Sequence, residues 1–341
     1  MTPTLDIHLI TYNRQEYLAR TLEQLFAEGS PVHRYGLTIL NNASTDGSTE
    51  LINEYAERYP TLLKHIVHPR NIGGNANITR AFELATAEYV WVLCDDDEFD
   101  FTHWHTVEEA MNDGADAVVV ANYLNPQKNV AQLLGQMTFV PSTIYKTSII
   151  DTTVMVNASF NIAMMFPQFA FVAPLINHNK TIRIMEHWMV RMVLHGAEET
   201  YVRGLNNDRS PFISRMFWQV GFLHALHLIH SDDIKRHVVR NLVLHGEVPC
   251  YHPEILLDDN KKAGQGSWWN VATLWVNLSF DKVLQLKLLW GLLLRCSPVR
   301  ISCLTFASGH YLWRLIVNHH RRYLLWDTRI VAEWLLKKST P

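Results

Sequence analysis

Residues Tyr89 to Asp97 read YVWVLCDDD. An apolar run rich in β-branched and aromatic side chains leads straight into three aspartates, and no basic residue flanks them in the chain. A short apolar run with a polar boundary reads as a strand covered on both faces, the kind found in parallel sheets. Three adjacent carboxylates repel one another, so something has to compensate them. A divalent cation is the natural partner, because hard cations take carboxylate oxygens. In extended chain, residues i and i+2 point the same way, which puts Asp95 and Asp97 on one face. The plainer alternative is a solvated acidic turn capping the next helix, which needs one carboxylate rather than three.

Upstream of this strand the chain alternates strand-like and helix-like segments. LDIHLI (5–10) reads as a strand, TYNR (11–14) as a polar break, and Gln15 to Ala27 as a helix with Leu18, Leu22, Leu25 and Phe26 on one side. GLTILNN (36–42) is a second strand, and the turn residues ASTDGS (43–48) open a helix over 49–59. LKHIVH (63–68) is a third strand, PRNIGGNAN (69–77) a glycine loop, and 78–86 a helix. Beyond the aspartates a helical stretch to Asn112 precedes DAVVVAN (116–122), a further strand. Strands alternating with helices of this length predict βαβ units and an α/β fold built on a mostly parallel sheet.

From Pro126 to Asn207 the pattern is less regular. From Pro211 onward, FWQVGFLHALHLIH (217–230), KVLQLKLLWGLLLR (282–295) and YLWRLIVNHHRRYLLWDTRIVAEWLLKK (311–338) are apolar-periodic and helical in pattern. The shift in composition places a boundary between a domain over 1–208 and a helical C-terminal region over 209–341.

With 48% apolar and 18% charged residues in 341, the composition is globular and sufficient for a large core. Of 30 Lys and Arg and 33 Asp and Glu, ten and three lie from Asp281 onward, so that segment carries +7 and the rest −10. An acidic body argues against nucleic acid as the main partner. Cys94, Cys250, Cys296 and Cys303 form no CxxC pair, which fits free thiols in a reducing compartment. The first residues show no basic segment leading into an apolar one, and no uncharged apolar run reaches membrane-spanning length. The expectation is a cytoplasmic protein.

In open α/β sheets, ligands sit beyond the carboxyl ends of the strands. TYNR, NNASTDGS and CDDD would share that edge. Each has an ordinary reading. Asn, Ser, Thr, Asp and Gly are common turn and cap residues. NIGGNAN is neither a G-x-G-x-x-G nor a P-loop pattern, although glycines at a helix start allow an anion close approach to the backbone. In IRIMEHWMVRMVLHG (182–196), Glu186 and His187 precede what reads as a helix containing Trp188, Val190, Met192 and Val193; the carboxylate serves either the helix dipole or general-base catalysis.

Taken in order, TYNR, LNNASTDGS, NIGG, VWVLCDDD and the Glu186 to Arg191 stretch resemble the inverting family 2 glycosyltransferases of the GT-A fold. The likeness is to bacterial members that build surface polysaccharides, such as rhamnosyl-, galactofuranosyl- and abequosyltransferases, and it runs from Leu5 to Arg203. It implies a GT-A type nucleotide-diphospho-sugar transferase fold, Rossmann-like in its sheet, with a helical extension. It further implies that Thr11, Tyr12, Arg14, Asn41, Asp46, Asn71, Gly73, Asp95 and Asp96 bind a nucleotide-sugar, and that Asp97 with Asp95 holds Mn2+ or Mg2+. Most relatives carry an acid where this chain has Asn41, and a Glu-Asp pair where it has Glu186-His187. The base is then Glu186, His187 or another carboxylate, with Glu186 preferred. Arg191 would face the pyrophosphate or pack locally.

The implied acceptor is a glycan or a polyprenyl-linked glycan. Segment 311–338 interleaves Trp, Leu and Ile with Arg, Lys and His, and a basic amphipathic helix of this kind can lie in a membrane interface. That would place the protein peripherally on the inner face of the cytoplasmic membrane. The alternatives are a helix packed on the catalytic domain or an interface of a homo-oligomer. Two rival functions stand beside the transferase. A sugar nucleotidyltransferase would want a basic glycine-rich loop after the first strand, and TYNRQEY has no glycine. A non-catalytic binding or scaffold subunit would explain Asn41 and His187 but not three retained aspartates.

Overall fold

The computed structural model describes residues 4–121, 124–193 and 221–239, together with 241, 276, 279–282 and 285. The chain divides into two compact units, Met1–Phe280 and Asp281–Pro341, and the sheet with its helices lies in the first. The boundary expected at 208 and the segment 311–338 lie outside the described residues.

The sheet is α/β, as the alternation predicts. Its strands are β1 (Leu5–Thr11), β2 (Leu37–Asn41), β3 (Leu63–Val67), β4 (Tyr89–Cys94), β6 (Ala117–Val119), β7 (Thr143–Lys146) and β8 (Ile182–Ile184), in the spatial order β3-β2-β1-β4-β7-β6-β8. A separate ribbon pairs β5 (Glu98–Phe99) with β9 (Val190–Arg191). The first four strands of the large sheet run parallel, and β7 is antiparallel to both β4 and β6. Burial follows position. β4, at the middle of the sheet, is buried from Tyr89 through Leu93, whereas the edge strand β3 exposes Lys64 and His65. Polar side chains on an edge strand blunt its tendency to pair with another chain.

The large aromatic side chains of β4 are buried with their polar ends satisfied. The Tyr89 hydroxyl lies 3.1 Å from the carbonyl of Met111 and 2.8 Å from that of Ala115, and Trp91 Nε1 donates to the Pro141 carbonyl at 2.8 Å. Burying these rings without such partners would forfeit much of what their area contributes.

Helix α1 (Gln15–Leu25) buries Leu18, Leu22 and Leu25 of the stripe read from its spacing, with Thr21 among them, and Phe26 just past its end is buried as well. Helices α2 (Val32–Tyr35) and α3 (Ser48–Arg58) follow. Helix α4 (Gly74–Glu83) starts four residues before the expected 78, because Gly73, at φ 88, turns the chain into it at once. Helix α5 (Trp104–Asn112) leads to β6.

The irregular middle holds α6 (Val130–Gln136), α7 (Thr152–Asn161) and α8 (Phe169–Asn177). Asn129 caps α6 by accepting from the Ala131 and Gln132 N–H groups, and Asp151 caps α7 by accepting from Val154. Met165, at φ 75, breaks the chain between α7 and α8, and Phe166 is fully buried.

Part of the C-terminal pattern packs on this domain. Phe222 sits 5.8 Å from both Phe166 and Phe169, and Asn177 bonds the Leu228 carbonyl and the His230 N–H. Helix α9 (Asp232–Val238), capped by Ser231, lies against α6. Among the described residues, no helix is long and apolar enough to cross a membrane.

Candidate active site

The order β3-β2-β1-β4 reverses direction between β1 and β4, since the chain steps outward from β1 through β2 to β3 and returns to β1's other side. Such a switch leaves a crevice at the carboxyl ends of the two strands. Ile10 pairs with Cys94, so the next residue on each side is Thr11 and Asp95. The Thr11 hydroxyl donates to Asp95 Oδ2 at 2.6 Å, bridging the crevice.

The aspartates are not extended. β4 ends at Cys94, and Asp95 and Asp96 form a turn, so the shared face expected from extended chain does not apply. Nor is the cluster without a cation. Arg14 Nη1 donates to Asp95 Oδ1 at 3.1 Å and to Asp96 Oδ2 at 2.6 Å, reaching them from the end of β1. Both oxygens of Asp95 are therefore engaged. Burial opposes Arg14's charge, but Asp95 and Asp96 hold its pKa above the ordinary value. Burial pushes Asp95 up to about 6, with Arg14 and the Thr11 bond pulling the other way.

Asp97 is 5% exposed, and its Oδ2 has no hydrogen-bond partner among the described residues. Burial, then Asp96 and Asp95, push this carboxyl well above the usual range; the Val193 N–H donates to it and acts in the opposite sense. An orphaned, buried, hard oxygen beside two more carboxylates suits a divalent cation.

The loops after β1 and β2 are stitched together across the same edge. Asn13 and Ala43 adopt left-handed backbone, at φ 49 and 61. Asn13 Oδ1 accepts from the Thr45 N–H at 2.7 Å, and its own N–H donates to the Ser44 hydroxyl at 3.0 Å. Asn41 is fully buried and spends its amide on this turn, accepting from the Ser44 N–H and donating to Thr49. Asp46 accepts from the N–H groups of Gln15 and Ser48, both at 3.0 Å. Asn71 Oδ1 accepts from Asn42 and from the Gly73 N–H. Tyr12, in the loop after β1, is half-buried. A Cβ on Gly73 or Gly74 would meet nothing within 4 Å, so the start of α4 faces open space.

Glu186 and His187 stand exposed on an arch between β8 and β9. The expected helix through Val193 is absent; Val190 and Arg191 are a strand instead, because they pair antiparallel with Phe99 and Glu98. That pairing brings the arch beside the chain leaving Asp97. Bonds from the Met185 and Met189 N–H groups to the Val119 and Val120 carbonyls pin its two feet. His187 stacks on His103, centroids 3.8 Å apart and planes 16° from parallel. Arg191 packs locally, paired with Glu98 and 5.1 Å over the Trp188 ring.

Residues 6–172 match the sequence profile described as glycosyl transferase family 2. This segment is a family 2 glycosyl transferase domain. An uncharacterized protein of Mycobacterium tuberculosis is 36% identical over 97 residues, 28% of this chain and 27% of that one. An abequosyltransferase of Salmonella typhimurium is 31% identical over 87 residues, 26% of each chain. These matches thus span about a quarter of the curated relatives' length, 27% and 26%. A mannosyltransferase of Pyrobaculum calidifontis, solved with GDP-Man and Mn2+, superimposes with a TM-score of 0.50 at 14% identity, covering 98% of this chain and 86% of that one. The likeness establishes the GT-A fold of the family 2 domain.

Several residues around the aspartates escape a motif reading. Thr21 donates to the Asp95 carbonyl at 2.9 Å. Gln24 bridges the Asp97 carbonyl and the Phe99 N–H, at 3.4 and 2.9 Å. A threonine within the leucine stripe of α1 is the available signal for the first. Val193 and His103 carry none, since their places depend on the ribbon pairing.

Proposed function

We propose that this chain transfers a sugar, with inversion, from a nucleoside-diphosphate sugar to a hydroxyl of a glycan or lipid-linked glycan in surface polysaccharide synthesis. The observation that carries this reading is the orphaned Asp97 Oδ2, buried at the switch point of the sheet. Asp97 would hold Mn2+ or Mg2+. Asp95 is the weaker ligand, because Thr11 and Arg14 occupy its oxygens. Bound there, a divalent cation neutralises charge building on the leaving diphosphate. The loops of Asn13, Asn41, Asp46, Asn71 and Gly73 would seat the nucleotide, and the open start of α4 offers backbone N–H groups to an anion. Glu186, exposed on its pinned arch, would take the proton from the acceptor hydroxyl as that oxygen attacks the anomeric carbon and the bond to the diphosphate breaks. The names of the abequosyltransferase and mannosyltransferase relatives support sugar transfer as the chemistry.

The test is a thermal-shift and calorimetry panel of UDP, dTDP, GDP and CDP, each with Mn2+ and with EDTA. Binding of one nucleotide only with metal supports the reading and names the donor class. No binding in either condition overturns it in favour of a non-catalytic subunit.

A further inference from the structure

We propose that Arg14 is a built-in counter-ion that competes with the divalent cation for the acidic corner, so that the cation enters together with a diphosphate and not alone. The inference rests on the cation site proposed at Asp97.

The geometry supplies the competition. Three consecutive carboxylates end β4, and one guanidinium is set among them. Arg14 bonds Asp95 at 3.1 Å and Asp96 at 2.6 Å with its side chain only 19% exposed. Asp95 cannot turn away, because Thr11 holds its other oxygen at 2.6 Å and Thr21 holds its carbonyl. Arg14 itself is placed by the chain reversal after β1, where Asn13 adopts left-handed backbone and is tied to Thr45. The guanidinium therefore belongs to the frame of the site.

Arg14 thus engages two of the three carboxylates and offsets one of their three negative charges before any ligand arrives, and Asp97 Oδ2 is left without a hydrogen-bond partner among the described residues. A divalent cation approaching that oxygen meets one carboxylate outside Arg14's grip and a nearby fixed positive charge. A lone carboxylate is a weak ligand for Mn2+ or Mg2+, whose sites are usually completed by further carboxylates or by substrate phosphates. A diphosphate changes the balance. Its oxygens supply the missing ligands, and its negative charge offsets Arg14. Cation and donor then bind as a pair, and a hydrated cation by itself gains little. Without Arg14, Asp95 and Asp96 would join Asp97 as an acidic nest able to capture the cation unaided.

The experiment measures Mn2+ binding to the full chain without nucleotide, by the loss of the free-ion paramagnetic resonance signal and by calorimetry. Wild type is compared with Arg14→Gln, Arg14→Lys and Asp97→Asn, with folding of each checked by circular dichroism. Removing a unit charge a few ångströms from the ion should tighten Mn2+ binding by at least ~10-fold in Arg14→Gln, a modest expectation for partly buried charges. Arg14→Lys keeps the charge and the fold but not the two-carboxylate grip, and should fall between. Equal or weaker Mn2+ binding by both Arg14 variants overturns the counter-ion role. Each protein is then titrated with Mn2+ in the presence of UDP, dTDP, GDP or CDP. Asp97-dependent binding of Mn2+ with a nucleotide, but no tightening in the Arg14 variants, refutes this inference alone. Absence of Mn2+ binding under every condition refutes the cation site as well.

Discussion

Asp97→Asn should abolish turnover and at the same time stabilise the ligand-free protein. The reasoning starts from burial. Asp97 is 5% exposed, sits beside two other carboxylates, and leaves Oδ2 without a partner among the described residues. A buried polar group left unsatisfied costs about 1–3 kcal/mol, and more when charged. Asparagine removes the charge but leaves a buried amide in its place, so the gain comes from the lost charge and should be about 1–3 kcal/mol. For domains of 150–250 residues, each kcal/mol moves the melting midpoint by about 2–4 °C, which predicts a rise of about 2–12 °C.

The sign of the pH dependence is fixed by the direction of the shift. Burial, Asp96 and Asp95 raise the Asp97 pKa well above its ordinary 3.8. The folded protein therefore holds this proton more tightly than the unfolded one, and stability falls as pH rises between the two values. The penalty is absent below the ordinary value and complete above the raised one. The advantage of Asp97→Asn should be largest at pH 8 and shrink toward pH 5. Differential scanning calorimetry of both proteins in EDTA, at half-unit steps between those limits, measures it. A variant less stable than wild type at pH 8, or an advantage that does not change with pH, would refute the reasoning.

Three further outcomes are expected. Thr11→Val removes a 2.6 Å bond to Asp95, whose carboxyl titrates at about 6; bonds to charged groups contribute about 1.5–3 kcal/mol, so the loss in urea denaturation should approach that at pH 8 and be smaller at pH 5. Gly36→Ala should lower stability by about 1–3 kcal/mol by the same assay, because φ 80 with ψ 175 is essentially a glycine conformation and the new Cβ would lie 3.0 Å from the Leu62 carbonyl oxygen. Glu186→Gln should reduce kcat by about 10²–10⁴ with an unchanged melting midpoint, whereas His187→Asn should reduce it far less; the reverse order in a single-turnover assay would transfer the base to His187.

Much of the fold is legible in the chain because its parallel strands are buried on both faces. Their apolar runs, LDIHLI, GLTILNN and YVWVLC, stand out against polar turns on either side. Strand β7 is not legible. Its TIYK is too short for a periodicity, and its burial comes from neighbours it meets only after the chain folds back between β4 and β6. The same distinction divides the site. Asp95, Asp96 and Asp97 announce themselves as a local cluster. Arg14 was visible as a residue, but its role as their counter-ion was not, because 81 positions separate it from Asp95 and only the β1–β4 register brings them together. The Glu186 stretch misleads for a related reason. Met, Val and Trp there suit a helix as well as a strand, and the two-residue pairing with Glu98 and Phe99 decides between them.

That pairing also bears on His187, where the family resemblance implies an aspartate. The arch is positioned from outside itself, by the β5–β9 ribbon and by the bonds to the Val119 and Val120 carbonyls. Neither uses the side chain at 187. The position of Glu186 relative to the chain leaving Asp97 is thus set by backbone, and a change at 187 leaves it intact. His187 instead meets His103, the residue just before α5, in a parallel stack. An aspartate could not make this contact. His187 therefore adds an aromatic contact beside Glu186 and puts no second carboxylate next to the proposed base.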